Sequence, residues 1–325
     1  MRFTIIATTI ISLALALLPH IVWIIVSLAA RIWRYRLPYA PFGWTALGLV
    51  ILCWATILYG YSFGRWQQKT VHISYANNNL PASFEGYRIV HISDLHLSTF
   101  TSKPEQLQRI VDSINAQKPD LICFTGDLVS ISPDEVLPFA SILKQLRATD
   151  GVLSTLGNHD FFIYGNRTQE EREDLINRLA SFERDTLGWN LLRNEHKTIF
   201  RGNDSITILG VDNKTGAGQG FSTIDQGDLP KALQGTNGFR ILLSHDPSHW
   251  EAEVLRHTDI PLTLSGHTHA AQVRIFGWTP AALMFRQSQG RYDDNGQTLY
   301  ITAGIGCTVP FRIGCPSEIT TIELK

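Results

Sequence analysis

Acidic residues are missing from the first 64 positions of this 325-residue chain, whose only charges are Arg2, Arg31, Arg34 and Arg36. Cysteine is scarce, with four in all and no Cys-x-x-Cys spacing, which excludes a disulfide scaffold and a thiolate metal site. Basic residues are not in excess: the net charge is −1, giving no support to a nucleic-acid binder read from bulk charge. Internal repeats and low-complexity tracts are also missing, and a hydrophobic content of 44% excludes a disordered chain. The average conceals a split. The first 64 residues carry +4, whereas the remainder holds 24 basic and 29 acidic residues, a balance of −5. Two different solvents are implied.

What the N-terminal part does contain is long apolar runs. Residues 3–30 and 37–64 have no Asp, Glu, Lys or Arg. Each exceeds the roughly 20 residues needed to cross a hydrocarbon core, and the first is too long for a signal peptide. Two transmembrane helices are predicted, at about 4–28 and 43–63. Residues 1–64 then form a membrane anchor, with His20 as a helix-packing residue. Arg31, Arg34 and Arg36 in the short link place that link in the cytoplasm by the positive-inside bias. The C-terminal domain would lie outside, although Arg65 and Lys69 pull the other way. Cys53 falls in a membrane helix and Cys123 in an apolar strand. Cys307 and Cys315 would pair outside or remain thiols inside.

Residues 65–83 read as a polar linker, with Asn77, Asn78 and Asn79 clustered, and 84–325 as one domain. In it short apolar strands alternate with amphipathic helices. Strands are predicted at 87–93, 120–124, 151–156, 205–211, 239–244, 260–265, 297–303 and 318–324. Helices are predicted at 104–117, 134–147, 168–186 and 247–255. Pro104 suits a first helical turn, and Leu107, Ile110, Val111 and Ile114 share one face. This alternation argues an α/β domain with a substantial core.

Chemistry gathers where strands end. Asp94 and His96 follow the first strand, Gly126-Asp127 the second, and Gly157-Asn158-His159-Asp160 the third. His245 follows the fifth; Gly266-His267-Thr268-His269 follows the sixth. Taken singly, each is an ordinary turn, cap or surface residue. Together they are five sets of metal-capable groups on strand ends, where α/β sheets build sites. Imidazole and carboxylate donors suit Mn, Fe or Zn. Seven donors are too many for one ion with an open position. They are about right for two ions that share a carboxylate and clamp a phosphoryl group.

These motifs, in this order, resemble the calcineurin-like metallophosphoesterase superfamily over nearly all of residues 84–325. The tail from Gly304-Ile305-Gly306 through Pro310, Arg312, Gly314, Cys315-Pro316 and Glu318 resembles a membrane-associated bacterial phosphodiesterase branch. The resemblance implies a four-layer sandwich of two mixed β-sheets flanked by helices. It implies two divalent ions, one held by Asp94, His96 and His269, the other by Asn158, His245 and His267, with Asp127 bridging. A hydroxide between the ions would attack phosphorus, and His159 would protonate the leaving oxygen. The expected protein is a multi-pass enzyme of the inner (cytoplasmic) membrane acting on a phosphoester, a lipid-linked one among the candidates.

Two departures stand out. Some superfamily members carry Asp, and purple acid phosphatases Tyr, at the position of Ser130, which leaves the partner of His159 open. Ala270-Ala271 replace a Gly-Gly pair of the branch. A UDP-2,3-diacylglucosamine pyrophosphatase of lipid A synthesis is the alternative, and it would need a cytoplasmic domain. A catalytically silent metal-binding scaffold is the alternative of another class, though such members usually lose ligands that this chain retains. Among the remaining residues, His91 is expected in the core, His249 and His257 at the surface, and Asp212 in a turn. Phe276, Trp278 and Phe285 are expected to pack, an apolar rim for a lipid substrate being the other reading.

Overall fold

The computed structural model describes residues 2–216, 219 and 223–325, which divide into two compact units. The first is a pair of apolar helices, α1 (Arg2–Ala30) and α2 (Ala40–Ser62), with the segment Val309–Ile313. α1 runs two residues beyond the expected span at each end, and α2 starts three residues earlier and ends one sooner than expected. Pro41 stands in the first turn of α2, where a missing N–H goes unneeded. His20 does pack: its Nδ1 lies 2.7 Å from the Tyr39 hydroxyl.

The second unit is a sandwich of two six-stranded sheets. Sheet A has the order β1 (Gln68–Tyr75), β12 (Ser317–Leu324), β2 (Arg88–Ile92), β3 (Leu121–Phe124), β4 (Val152–Ser154), β5 (Asn190–Leu191). Sheet B has the order β10 (Gly290–Asp294), β11 (Gln297–Ile301), β9 (Leu262–Ser265), β8 (Phe239–Leu243), β7 (Asp204–Gly210), β6 (Glu195–Arg201). β2, β3 and β4 run parallel, as do β7, β8 and β9, while β12–β2 and β6–β7 are antiparallel.

Strand alternation builds the layers. Ile89, Leu121 and Cys123 point between the sheets and meet Ile208, Ile241 and Leu264 from the opposite sheet. Their neighbours Val90, Ile122 and Phe124 point outward onto α3 (Pro104–Ala116) and α5 (Gln169–Ser181), through Ile110, Ile114 and Leu179. Leu209 and Leu242 cover the far side of sheet B against Trp250 and Val254. With both faces covered, the parallel strands read as continuous apolar runs. Each large buried side chain contributes about 1.5–3 kcal/mol.

Several expectations need correction. The stretch 65–83 is not simply a linker: β1 lies inside it and pairs in parallel with β12 from Gln68 to Tyr75. Its burial is mostly partial, so no clean apolar alternation announced it. The helix expected at 134–147 is a 3₁₀ segment, Pro133–Phe139, followed by the single turn α4 (Ala140–Leu143). Pro138 lacks the N–H that a longer helix needs. The helix expected at 247–255 is a π-helical turn, Trp250–Val254, running into α7 (Leu255–His257). His249 is buried rather than exposed, held by the Ser244 hydroxyl at 2.8 Å and Glu253 at 3.0 Å. His257 is exposed and His91 buried, as expected. Asp212 pairs with Arg193 at 2.9 Å. Phe285 packs, but Phe276 and Trp278 do not; both are exposed. None of the four cysteines is in a disulfide.

Candidate metal centre

The loops after β2, β3, β4, β8 and β9 meet. Main-chain bonds lock them together: Asp94 N–H donates to the Gly126 carbonyl at 2.9 Å, and Gly266 N–H to that of His245 at 3.0 Å. Glycine is required where they touch, since a Cβ on Gly157 would collide with Asp127 and His245, and one on Gly266 with Ser93 and Asp94. The site is strained. Asp94, His96, Asp127, His267 and His269 all have positive φ, between 39° and 71°. Non-glycine residues adopt that conformation at a cost of about 1–3 kcal/mol each, and such residues cluster at functional sites. Ala270 and Ala271 continue the left-handed run with φ of 50° and 49°. That is a backbone glycine would take without strain.

The expected donors converge. His269 Nε2 lies 3.2 Å from Asp94 Oδ1 and 3.1 Å from His96 Nε2. Asp127 Oδ2 lies 3.5 Å from His96 Nε2 and 3.3 Å from His245 Nε2, between the two halves. Asn158 Oδ1 is 3.1 Å from His245 Nε2 and 2.8 Å from His267 Nδ1. Three overlapping clusters have donor atoms within 4.8 Å of one another: Asp94–His96–His269, His96–Asp127–His159 and Asp94–Asp127–His245.

The electrostatics fit cations. Asp94 and Asp127 are fully buried, which works against their charge, yet neighbouring histidines hold both carboxyls below the usual range. Among the described residues neither forms an ion pair with Lys or Arg. Burial opposes charge on His245 too, but Asp127 and Asp94 push it up to about 10. Burial lowers His96 to about 3, leaving a neutral imidazole suited to coordination. Two buried carboxylates thus make this nest a place that draws positive charge, whether a proton on His245 or a bound cation. The His245 Nδ1–H donates to the Thr125 carbonyl at 2.7 Å, which turns Nε2 to the centre.

His159 stands beside this cluster. Its Nδ1 lies 2.8 Å from the Ser130 main-chain carbonyl, an acceptor only, so Nδ1 carries the proton and Nε2 is left for substrate. The partner left open by the sequence is therefore a backbone group, not Asp160. The Asp160 carboxylate instead accepts the N–H groups of Asp127, Leu128, Val129 and Gly157 at 2.7–3.2 Å.

A family description of calcineurin-like phosphoesterases matches residues 87–271. The chain belongs to the calcineurin-like phosphoesterase family. A Danio rerio protein described as a transmembrane protein with a metallophosphoesterase domain is 32% identical over 294 residues, covering 86% of this chain and 62% of the relative. The chain thus spans under two thirds of that relative's length. An uncharacterized metallophosphoesterase of Bacillus subtilis, YkuE, is 30% identical, covering 82% of this chain and 90% of the relative. A second from that organism, YkoQ, is 27% identical over 286 residues. Members of this family are metal-dependent phosphoester hydrolases that use two divalent metal ions, and the clustered donors described above could hold such ions.

Three residues near the site escaped the sequence reading. Gln219 places Oε1 3.0 Å from His267 Nε2 while its Nε2 donates to Asp246 at 2.6 Å. Asp246 itself lies 3.8 Å from His267. Tyr164 accepts from Asn158 Nδ2 at 2.7 Å, and its ring lies 4.4 Å from that of His159. Asp246 follows His245 directly and was legible as a neighbour. Gln219 and Tyr164 sit in loops with no motif around them.

Proposed function

We propose that this phosphoesterase is membrane-anchored and favours phosphodiesters. The observation that carries the reading is the convergence of donors from five strand-end loops around Asp127. In this reading Asp94, His96 and His269 hold one ion, Asn158, His245 and His267 the other, and Asp127 joins them. Divalent ions held there would supply Lewis acidity toward the phosphoryl group and would lower the pKa of the nucleophilic water so that it attacks in its deprotonated form. Asp127, between His96 and His245, spans the two halves, and Asn158 sits between His245 and His267 within one of them. His159, held through Nδ1–H, presents Nε2 to the leaving oxygen; in the imidazolium form Nε2–H would supply the proton with which the alcohol departs, leaving the neutral Nδ1–H tautomer.

Anchoring is supported by α1 and α2. Their mean hydropathies over the candidate spans are 2.4 and 1.8. Large apolar side chains such as Leu17, Ile25, Leu52 and Leu58 are exposed all round. A helix apolar on every side belongs in an apolar solvent. The arginines of the link favour an extracytoplasmic hydrolase domain in the inner membrane. A domain found in the cytoplasm would instead favour the UDP-linked lipid pyrophosphatase.

The test is hydrolysis of a chromogenic phosphodiester and its monoester by the full chain, stripped of metal and then given Mn²⁺, Zn²⁺ or Fe²⁺. Return of activity with metal and a diester preference are expected. A monoester preference would overturn the diesterase reading.

A further inference from the structure

Between Arg274 and Arg286 the sequence runs Ile275-Phe276-Gly277-Trp278-Thr279-Pro280-Ala281-Ala282-Leu283-Met284-Phe285, without an acidic residue. Five of its large side chains face solvent: Ile275 and Trp278 are each 51% exposed, Met284 53%, Leu283 78% and Phe276 106%. Single exposed apolar residues are ordinary on a protein surface, but a run of them within ten residues marks an interaction surface.

The run is a built protrusion. Ile275 and Trp278 exchange both main-chain hydrogen bonds, at 2.9 and 3.0 Å. The two residues between them, Phe276 and Gly277, both have positive φ, the pattern of a tight two-residue hairpin turn. Bulky Phe276 thus sits at the tip on left-handed backbone with its ring in solvent. Thr279 caps the following turn, Pro280–Leu283, and its hydroxyl donates to the Ala270 carbonyl, beside the candidate ligand His269. At the other end Phe285 is buried, its ring edge-on to His267 with centroids 5.5 Å apart. The protrusion is therefore fixed at both ends to the loop that carries His267 and His269.

We propose that Ile275–Met284 is a membrane-docking segment that seats in the lipid interface. Trp, Phe, Leu and Met at the tip, arginine at each flank and no acid between them is the composition of a segment that lies in an interface. The lipid surface is supplied by the chain's own anchor, and this inference rests on that anchored reading. Only residues 63–67 separate α2 from β1, a span of at most about 18 Å, so a bilayer holding α2 is at high effective concentration for this domain. Docking would place the metal centre within reach of phosphoesters carried on lipids.

Phe276→Cys and Leu283→Cys, introduced separately into the full chain, test the proposal. Each is spin-labelled, reconstituted in phosphatidylcholine–phosphatidylglycerol vesicles and compared with Asn237→Cys. Asn237 is exposed and precedes β8, at the opposite end of that strand from His245. The expected result is a ratio of oxygen to water-soluble nickel chelate accessibility about tenfold higher at 276 and 283 than at 237, because a polar chelate enters an apolar phase poorly. If either label unfolds the chain, as judged by its melting temperature, Trp278→Cys replaces it. Equal ratios at all sites overturn docking and leave anchoring intact. Low accessibility to both reagents also overturns it, because the segment is then covered by protein. A chain that fails to float with the vesicles overturns anchoring and docking together, and reporter hydrolysis then shows separately whether the phosphoesterase reading stands.

Discussion

Asp160 positions Asp127 through the main chain. One carboxylate oxygen accepts the Asp127 N–H at 2.7 Å and the Gly157 N–H at 3.0 Å, and the other takes Leu128 and Val129. The loop that presents the central carboxylate is thus wrapped around a neighbouring acid. Asp160→Asn keeps the shape but turns one oxygen into a donor facing an N–H. Such support residues typically matter 10–100-fold for metal affinity. We expect Asp160→Asn to weaken metal binding by about that factor, read by titration with Mn²⁺. Unchanged affinity would show that the loop holds Asp127 without this acid.

The contact between His159 and the Ser130 carbonyl makes a sharper pair of substitutions. His159→Ala should lower turnover by about 10²–10⁴-fold, the usual range for general acid help, with metal content unchanged. Ser130→Ala keeps the carbonyl and should stay within about threefold of the parent, as the side chain meets only the Ser98 hydroxyl at 2.7 Å and, at a long 3.4 Å, His96. His159 also lies within ligand distance of His96 and Asp127. A fall in metal content together with activity in His159→Ala would make it a ligand instead.

Much of this was legible because the sandwich is buried on both faces. β3 is apolar throughout, β2, β8 and β9 are apolar at half or more of their positions and buried at nearly all, and each stops abruptly at a polar loop, so strand and donor were visible together. Where a strand is half-solvated the signal fades. β1, β6 and β10 carry Lys69, His72, Lys197, Arg291 and Asp293 among partly exposed positions, and their pairing comes from the sheet edge they meet. The break at Pro138 was present in the sequence but outweighed there by the apolar periodicity around it. His249 was misplaced because a lone histidine says nothing of burial; Ser244 and Glu253 satisfy its two nitrogens. Gln219 and Tyr164 reach His267 and Asn158 from loops, a proximity that only the folded chain reveals.

Metal removal should be felt by the fold as well as by the rate. Five strained donors and two buried carboxylates gain from cations that the unfolded chain binds poorly. At free ion about a hundredfold above Kd, each ion contributes about 2.7 kcal/mol. A domain of this size shifts by about 2–4 °C per kcal/mol, so a strong chelator should lower Tm by roughly 10 °C or more. Thermal melting of the full chain in detergent, with and without chelator, reads this directly. A Tm that does not move would mean that the donor loops are held without the ions.

Glu183 supplies a pH dependence distinct from the candidate ligands. It is fully buried, accepts from the Ser154 hydroxyl at 2.5 Å, and is raised by burial, with Asp160 adding to the effect, to about 8 from an ordinary 4.5. The folded chain holds this proton up to about pH 8, whereas the unfolded chain releases it near pH 4.5. Between those values the unfolded state binds fewer protons, so this group makes stability fall as pH rises. Below pH 4.5 both states are protonated and the effect vanishes. Glu183→Gln keeps a neutral group of the same shape and removes the titration. We expect its Tm to match the parent near pH 4.5 and to exceed it progressively up to pH 8. Parallel melting curves at both ends of that range would show that Glu183 is ionised in the folded protein.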